Sequence, residues 1–550
     1  MSRKMPETLG DFTTGASIIP ISLLAIIIGL IGAGVAWLLL KIIGLFTNLF
    51  YFGRFDTALT SPAGNHLGWF AIFVPVMGSL IVGFMARYGS ERIRGHGIPE
   101  AIESILMNGS RVHPKLALLK PISAAISIGS GGPFGAEGPI IMTGGAFGSM
   151  IAQLFHLTSA ERKTLLVSGA AAGMTAVFAT PLASVLLAVE LLLFEWKPRS
   201  AIPVALASAT AALARRFLLG TGPLFPVPPH SAISTSGLLG CLIVGLLAGS
   251  LSALMTQGVY AAEDLFYKLP VHWMWWPAIG GIFVGIGGLI FPQALGVGYD
   301  TIALLLKGNV AIHIFVGVLL VKSLIWIISL GSGTSGGVVA PILMIGAALG
   351  GVEAMFLPGF GAGFWPLISM GATLAGTMRV PFTGVIFAIE LTHDLNVLLP
   401  LLVACFASYG LTVLVLKRSI LTEKIARRGF HLSREYAPDP LEILFVREVM
   451  SPPVQSHPGP VVTYPSEPLR AVAYQMAETG LTELPVVDPK TGLRVLGTIT
   501  LADLLRARSK HLEEERTRQR VIRFGKTGPG NTPTKSPPTS PVTEDVDLPV

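Results

Sequence analysis

Runs of apolar residues without a single charge dominate the chain, and four of them, Ile18 to Leu40, Trp69 to Ala86, Leu238 to Leu254 and Val397 to Leu416, approach or exceed a membrane span. A helix needs roughly 20 residues to cross a bilayer, so the pattern predicts an all-α polytopic membrane protein. Other apolar segments are shorter and bounded by Gly or Pro: Pro114 to Gly129, Pro139 to Phe155, Pro181 to Phe194, Pro341 to Phe356 and Pro381 to Leu391. These read as broken helices. Interrupted backbone at membrane depth survives only where it lines a cavity or is buried in protein, the habit of transporter and channel folds.

The chain also repeats itself. Gly129 to Gly148 (GSGGPFGAEGPIIMTGGAFG) and Gly331 to Gly350 (GSGTSGGVVAPILMIGAALG) share ten of twenty positions at an offset of 202. PLASVLLAVEL from Pro181 returns as PFTGVIFAIEL from Pro381, which sets Glu190 opposite Glu390 at an offset of 200. The body is expected to be two copies of one unit, about 16–220 and 235–416, within a membrane domain of 16–430. Inversion of the copies would put both Gly-rich turns near mid-membrane, facing one site.

Composition sharpens this division. Charged residues make up 13% of the chain, about half the share usual in soluble proteins, which argues against an ordinary soluble enzyme. Residues 431–525 hold 24 of them and residues 1–430 only 42, so a soluble module follows the greasy body. The net charge of +7 comes from basic residues flanking apolar runs, such as Arg87, Arg92, Arg94, Lys417, Arg418, Arg427 and Arg428. That is the positive-inside pattern rather than a nucleic-acid surface, and it places both termini in the cytoplasm of a multi-pass cell-membrane protein. Residues 1–15 read as a polar cytoplasmic N-terminus that is not a cleaved signal, and 526–550, with six prolines, as a disordered tail. The two cysteines, Cys241 and Cys405, fall inside apolar runs, and no metal cluster is expected.

Three Gly/Pro turns open helices: GHGIPE at Gly95 to Glu100, GAEGP at Gly135 to Pro139 and GVVAP at Gly337 to Pro341. First-turn N–H groups and the helix dipole favour a negative charge, and glycine lets a ligand reach the backbone. No phosphate-loop Lys follows any of them, so the ligand is a simple anion rather than a nucleotide. Glu137, ionisable inside an apolar body, is functional by default.

On these three segments, GHGIPE, GSGGPFGAEGP and GSGTSGGVVAP, the chain from about 16 to 430 resembles the CLC family of chloride channels and chloride/proton exchangers. The resemblance implies a homodimer in which each subunit is an inverted repeat with its own anion path through the bilayer. It assigns gating to Glu137, an outer anion site to the backbone of Ala136, Glu137 and Gly138, and a central one to Val338 and Val339. His96 and Gly97 stand in the family's GSGIP segment, with His96 replacing the usual Ser. The Tyr that often caps the inner side of the central site is matched by Leu421. Exchangers commonly carry a second Glu where this chain has Leu191, so a passive chloride channel is expected. A chloride/proton antiporter with an atypical internal proton route, Glu195 serving as donor, or selectivity for another anion, is the alternative. Glu190 and Glu390 read as structural caps.

Residues 440–525, with GTITLADLL from Gly497, resemble a single CBS domain followed by a charged helix. The resemblance implies an α/β unit in which Thr500 and Asp503 could hold the ribose of an adenine nucleotide. Its apolar face, with Val486, Val487 and Leu496, is expected to pair with a second copy. An intramembrane protease using Ser335 of Gly333-Thr334-Ser335-Gly336 with His393 as base is the rival from another class; the anion reading, which needs no enzyme activity, explains more of the chain.

Overall fold

The computed structural model describes residues 14–231, 233–429, 441, 444–453, 461–488 and 494–518, with 510–518 described by backbone alone. Most of the N-terminal segment and the proline-rich tail lie outside the described residues. Among the described residues, seven helices are long and apolar enough to cross a membrane.

The first half of the body comprises α1 (Ile18–Phe52), α2 (Phe73–Phe84), α3 (Ile98–Leu106), α4 (Pro114–Gly129), α5 (Glu137–Gln153), α6 (Ser159–Phe178), α7 (Pro181–Leu187) and α8 (Pro198–Leu218). The second comprises α9 (Thr235–Tyr267), α10 (Trp276–Ile290), α11 (Tyr299–Leu306), α12 (Ile312–Gly317), α13 (Ser323–Gly331), α14 (Val339–Glu353), α15 (Phe364–Met378), α16 (Pro381–Thr392) and α17 (Leu398–Val415). A short α18 (Ile420–Arg427) closes the body. The halves pack alike: α1 lies on α6 and α8 as α9 lies on α15 and α17, and α5 pairs with α6 as α14 does with α15. Small residues allow this approach. A Cβ added at Gly144 would fall 2.3 Å from the Gly169 carbonyl oxygen, so α5 and α6 touch backbone to backbone.

Contacts between the halves are reciprocal, which defines an internal two-fold relation. The Glu190 carboxylate accepts the N–H groups of Phe382 and Thr383 at the start of α16, at 3.3 and 2.9 Å. Glu390 accepts those of Leu182 and Ala183 at the start of α7, at 3.0 and 2.8 Å. Each carboxylate thus caps the other half's Pro-led helix, satisfying orphan donors and the positive end of the dipole. Two buried lysines follow the same rule: Lys120 donates to the carbonyls of Ile93 and Gly95, and Lys322 to those of Ala294 and Gly296.

In the C-terminal module, α19 (Val446–Val449), α20 (Leu469–Thr479), β1 (Glu483–Val487), β2 (Val495–Thr500) and α21 (Leu501–Arg518) surround a small core of Val446, Leu469, Val472, Leu484, Val486 and Ile499. β1 and β2 pair antiparallel. Thr463 forms a single bridge to Val486, and the N-cap of α20, Pro468, offers no side-chain hydrogen bond. The apolar face expected to need a second copy is different as well. Val486 and Val487 are fully buried within one chain, Val486 in the module's own core, and Leu496 is half-buried.

Replacing either capping carboxylate leaves N–H groups without a partner, so Glu190→Ala and Glu390→Ala should each destabilise the body by about 1–3 kcal/mol. Glu190→Ala should have the larger effect because Glu190 also accepts the Thr383 hydroxyl. Melting in detergent measures both.

Candidate anion site

Three turns meet where the halves touch. Gly135 and Gly337, equivalent in the two copies, exchange both backbone hydrogen bonds, at 3.1 and 2.8 Å. Gly95 joins them by donating to the Thr334 carbonyl and accepting from the Gly336 N–H. The contact is tight enough to exclude a side chain: a Cβ at Gly138 would lie 1.9 Å from the His96 carbonyl oxygen. α3, α5 and α14 therefore begin at one place, and their first-turn N–H groups, which have no partner within their own helices, converge there.

Glu137 occupies this point. Its carboxyl is fully buried, and Oε1 accepts the Ala340 N–H of α14 at 2.7 Å, while Oε2 has no partner among the described residues. A carboxylate made in the first half thus sits on the helix N-terminus of the second, where a mobile anion would bind. Ala136, Gly138, Val338 and Val339 are all buried around it. Val338 is the N-cap of α14 and Val339 its first residue, so no side chain is required of either beyond filling space.

On the other side of this junction lies a cavity of about 920 Å³. His96 lines it, buried, with Nδ1 lacking a partner among the described residues. Arg94 lines it too, stacked 4.5 Å from the Trp273 ring centroid. Arg94 also pairs with Glu91 at 3.0 Å, and three further cations are tied to acids: Lys424 to Glu100 at 2.7 Å, Arg428 to Glu103, and Arg427 to Asp264; Arg92 and Lys268 line the cavity as well.

Not every expected residue is placed as anticipated. The Gly97 N–H donates to Glu100 Oε2 at 2.9 Å, so this amide is committed to its own helix cap; the residue's φ of 89° is what the turn requires. Leu421 is buried at the start of α18 but is not part of the cavity wall. Ile420 and Tyr260 are, and the Tyr260 hydroxyl donates to the Ile420 carbonyl. Nothing local in the sequence marks Tyr260, which comes from the middle of a long apolar helix. The lysines Lys120 and Lys322 were also missed, although their offset of 202 matches the repeat.

Leu191 is fully buried. Glu195 is bound by Lys163 and Arg199, each at 3.3 Å, and by Lys197 at 4.0 Å. Burial alone would raise its pKa, but Lys163 and Arg199 outweigh it and hold the carboxyl below the usual range. A proton donor at this place would have to break that cluster. Ser335 accepts from the Ser123 hydroxyl at 3.1 Å and, among the described residues, bonds no histidine, which leaves the protease reading without a base. In the module, Thr500 and Asp503 bond each other: Asp503 Oδ2 accepts the Thr500 N–H at 3.0 Å and its hydroxyl at 2.7 Å, capping α21.

Comparison with known proteins agrees with this architecture. Residues 77–413 match the family model described as voltage gated chloride channel, and residues 446–510 that of the CBS domain. The chain is 31% identical over 343 residues to the H(+)/Cl(-) exchange transporter ClcA of Citrobacter koseri, covering 59% of this chain and 72% of that protein. It is 30% identical to the ClcA of Salmonella paratyphi B over the same coverage. Among solved structures, a slow cyanobacterial Cl-/H+ antiporter superposes with a TM-score of 0.64 at 22% identity, over 76% of this chain and 98% of that one. A CLC-type fluoride/proton antiporter gives 0.62 at 18% identity, over 73% and 97%. These two establish the likeness of fold.

Gly138→Ala should force the α3 and α5 turns apart, because the obstructing atom is backbone and cannot rotate away. A loss of about 1–3 kcal/mol is expected, read as a lower melting temperature in detergent.

Proposed function

The chain belongs to the voltage-gated chloride channel family, with a C-terminal CBS domain, and from that premise we propose that it exchanges chloride for protons across the membrane through Glu137. The observation that carries this reading is the bond from Ala340 N–H to the Glu137 carboxylate. Carboxylate and chloride compete for the same N–H groups, so an arriving anion displaces the side chain. The displaced side chain can then take a proton. Alternation of one negative group for another at one site links the two fluxes.

This favours the antiporter over the passive channel expected from Leu191. Relatives 30–31% identical to the chain bear the exchanger name, and the gate is a carboxyl group. With Leu191 buried and apolar and Glu195 held by cations, the inner proton route does not run through either. The route we assign to protons is the cavity lined by Gly95, His96 and Gly333. His96 presents its unpartnered Nδ1 there as a donor to the incoming anion, and stacked Arg94 raises the local anion concentration.

The ligands are chloride and protons, the setting a cell membrane with cytoplasmic termini, and the assembly a homodimer. At the CBS domain a nucleotide ribose would have to share Thr500 and Asp503 with the cap of α21; binding of ATP to wild type and not to Asp503→Ala tests that site.

Simultaneous recording of chloride and proton flux in liposomes tests the main reading. A chloride gradient should drive protons uphill at a fixed stoichiometry, and chloride flux without proton movement would return the protein to the passive class. Glu137→Gln, which mimics the protonated side chain, should abolish proton movement and remove the response of chloride flux to external pH. His96→Ala should weaken chloride binding by several-fold through loss of a ring N–H donor, as read by calorimetry; unchanged binding would show that the ring does not face the anion.

A further inference from the structure

Tyr299 opens α11, the second-half counterpart of α3, and stands where the first half has Ile98. The preceding Gly298 has a φ of 77°, and a Cβ there would lie 2.7 Å from Met344 Sδ, so the start of α11 is pressed against α14. The tyrosine ring is held edge-on by Phe178 and Phe225, each with centroids 6.1 Å away, and Phe178 is held in turn by Phe387 at 5.0 Å. This cage fixes the hydroxyl. Yet the Tyr299 oxygen is buried without a partner among the described residues, as is Oε2 of Glu137. α11 packs against α14, whose first turn holds the Glu137 carboxylate, so both oxygens lie along one helix. A cleft of about 30 Å³, room for one water or the end of a side chain, borders Tyr299.

A buried phenol left without an acceptor is costly, which points to an acceptor that arrives in another state of the cycle. We propose that Tyr299 is the second seat of the gate: when the Glu137 carboxyl leaves the Ala340 N–H, the phenol donates its O–H to it. This rests on the reading of Glu137 as the moving group. Tyr299 is a positioning residue in this scheme, since it acts on chloride through Glu137.

The sign of its effect follows from the bond. A donor to the carboxylate favours the charged form of the displaced side chain, so its removal makes the displaced carboxyl easier to protonate. The other groups near this point are Lys322, which acts on Glu137 while bonded to the carbonyls of Ala294 and Gly296, and Asp300, exposed at the cleft. Neither changes when only the phenolic oxygen is deleted.

The test is chloride/proton exchange in liposomes across external pH for wild type, Tyr299→Phe, Glu137→Gln and the double variant. Tyr299→Phe should move the midpoint of acid activation to higher pH by about one unit, with melting temperature little changed. Fluorotyrosine incorporated at position 299, a stronger donor, should move it to lower pH. The double variant should be as flat as Glu137→Gln alone. An unchanged midpoint in Tyr299→Phe, beside a flat Glu137→Gln, would overturn the role of Tyr299 and leave the gate intact. A normal pH response in Glu137→Gln would instead remove the gate itself.

Discussion

Helix N-termini that meet inside a membrane cannot be left empty. Their first-turn N–H groups have no partner in their own helices and no water around them, so the junction has to hold negative charge. In this protein the Glu137 carboxylate meets that demand at the N-terminus of α14. The same constraint suits the junction to anion exchange: any small anion able to reach it can take the N–H group that Glu137 takes.

Close approach is the second requirement, and it governs the sequence around the site. Three helix starts can share one point only if the turns between them leave room, which is why Gly138 and Gly337 lie against backbone atoms and Gly135 against the Glu137 carboxyl. The reciprocal caps at Glu190 and Glu390 fix α7 and α16 in the same way on both sides of the two-fold relation. Rigid packing of short helices thereby offsets the backbone breaks that make the site.

The inner cavity shows a different economy. Most of its cations are bound to acids, as in Lys424 with Glu100, so they shape the wall and connect α18 to α3 and α9. Arg94, beside its pair with Glu91, stacks on Trp273, and His96 keeps an Nδ1 without a partner among the described residues. An anion entering the cavity thus meets a wall of mostly paired cations, with Arg94 and His96 beside the Gly95 turn.

Much of this was legible in the chain. Apolar runs, Gly/Pro punctuation and the offset of 202 determine a duplicated, broken-helix membrane body, because lipid permits unpaired backbone only at a shared interior site. The Gly-flanked Glu137 likewise announces itself as an expensive buried charge. What the sequence could not decide were the partners brought from distant segments. That Gly97 spends its N–H on Glu100, that Tyr260 and Ile420 rather than Leu421 face the cavity, and that Lys163 and Arg199 hold Glu195 all depend on how separate helices register. Val486 and Val487 are covered inside one chain for the same reason: alternation along a strand marks an apolar face but does not name what packs on it. Local pattern sets which residues must be buried or capped, and only the tertiary structure chooses the group that does it.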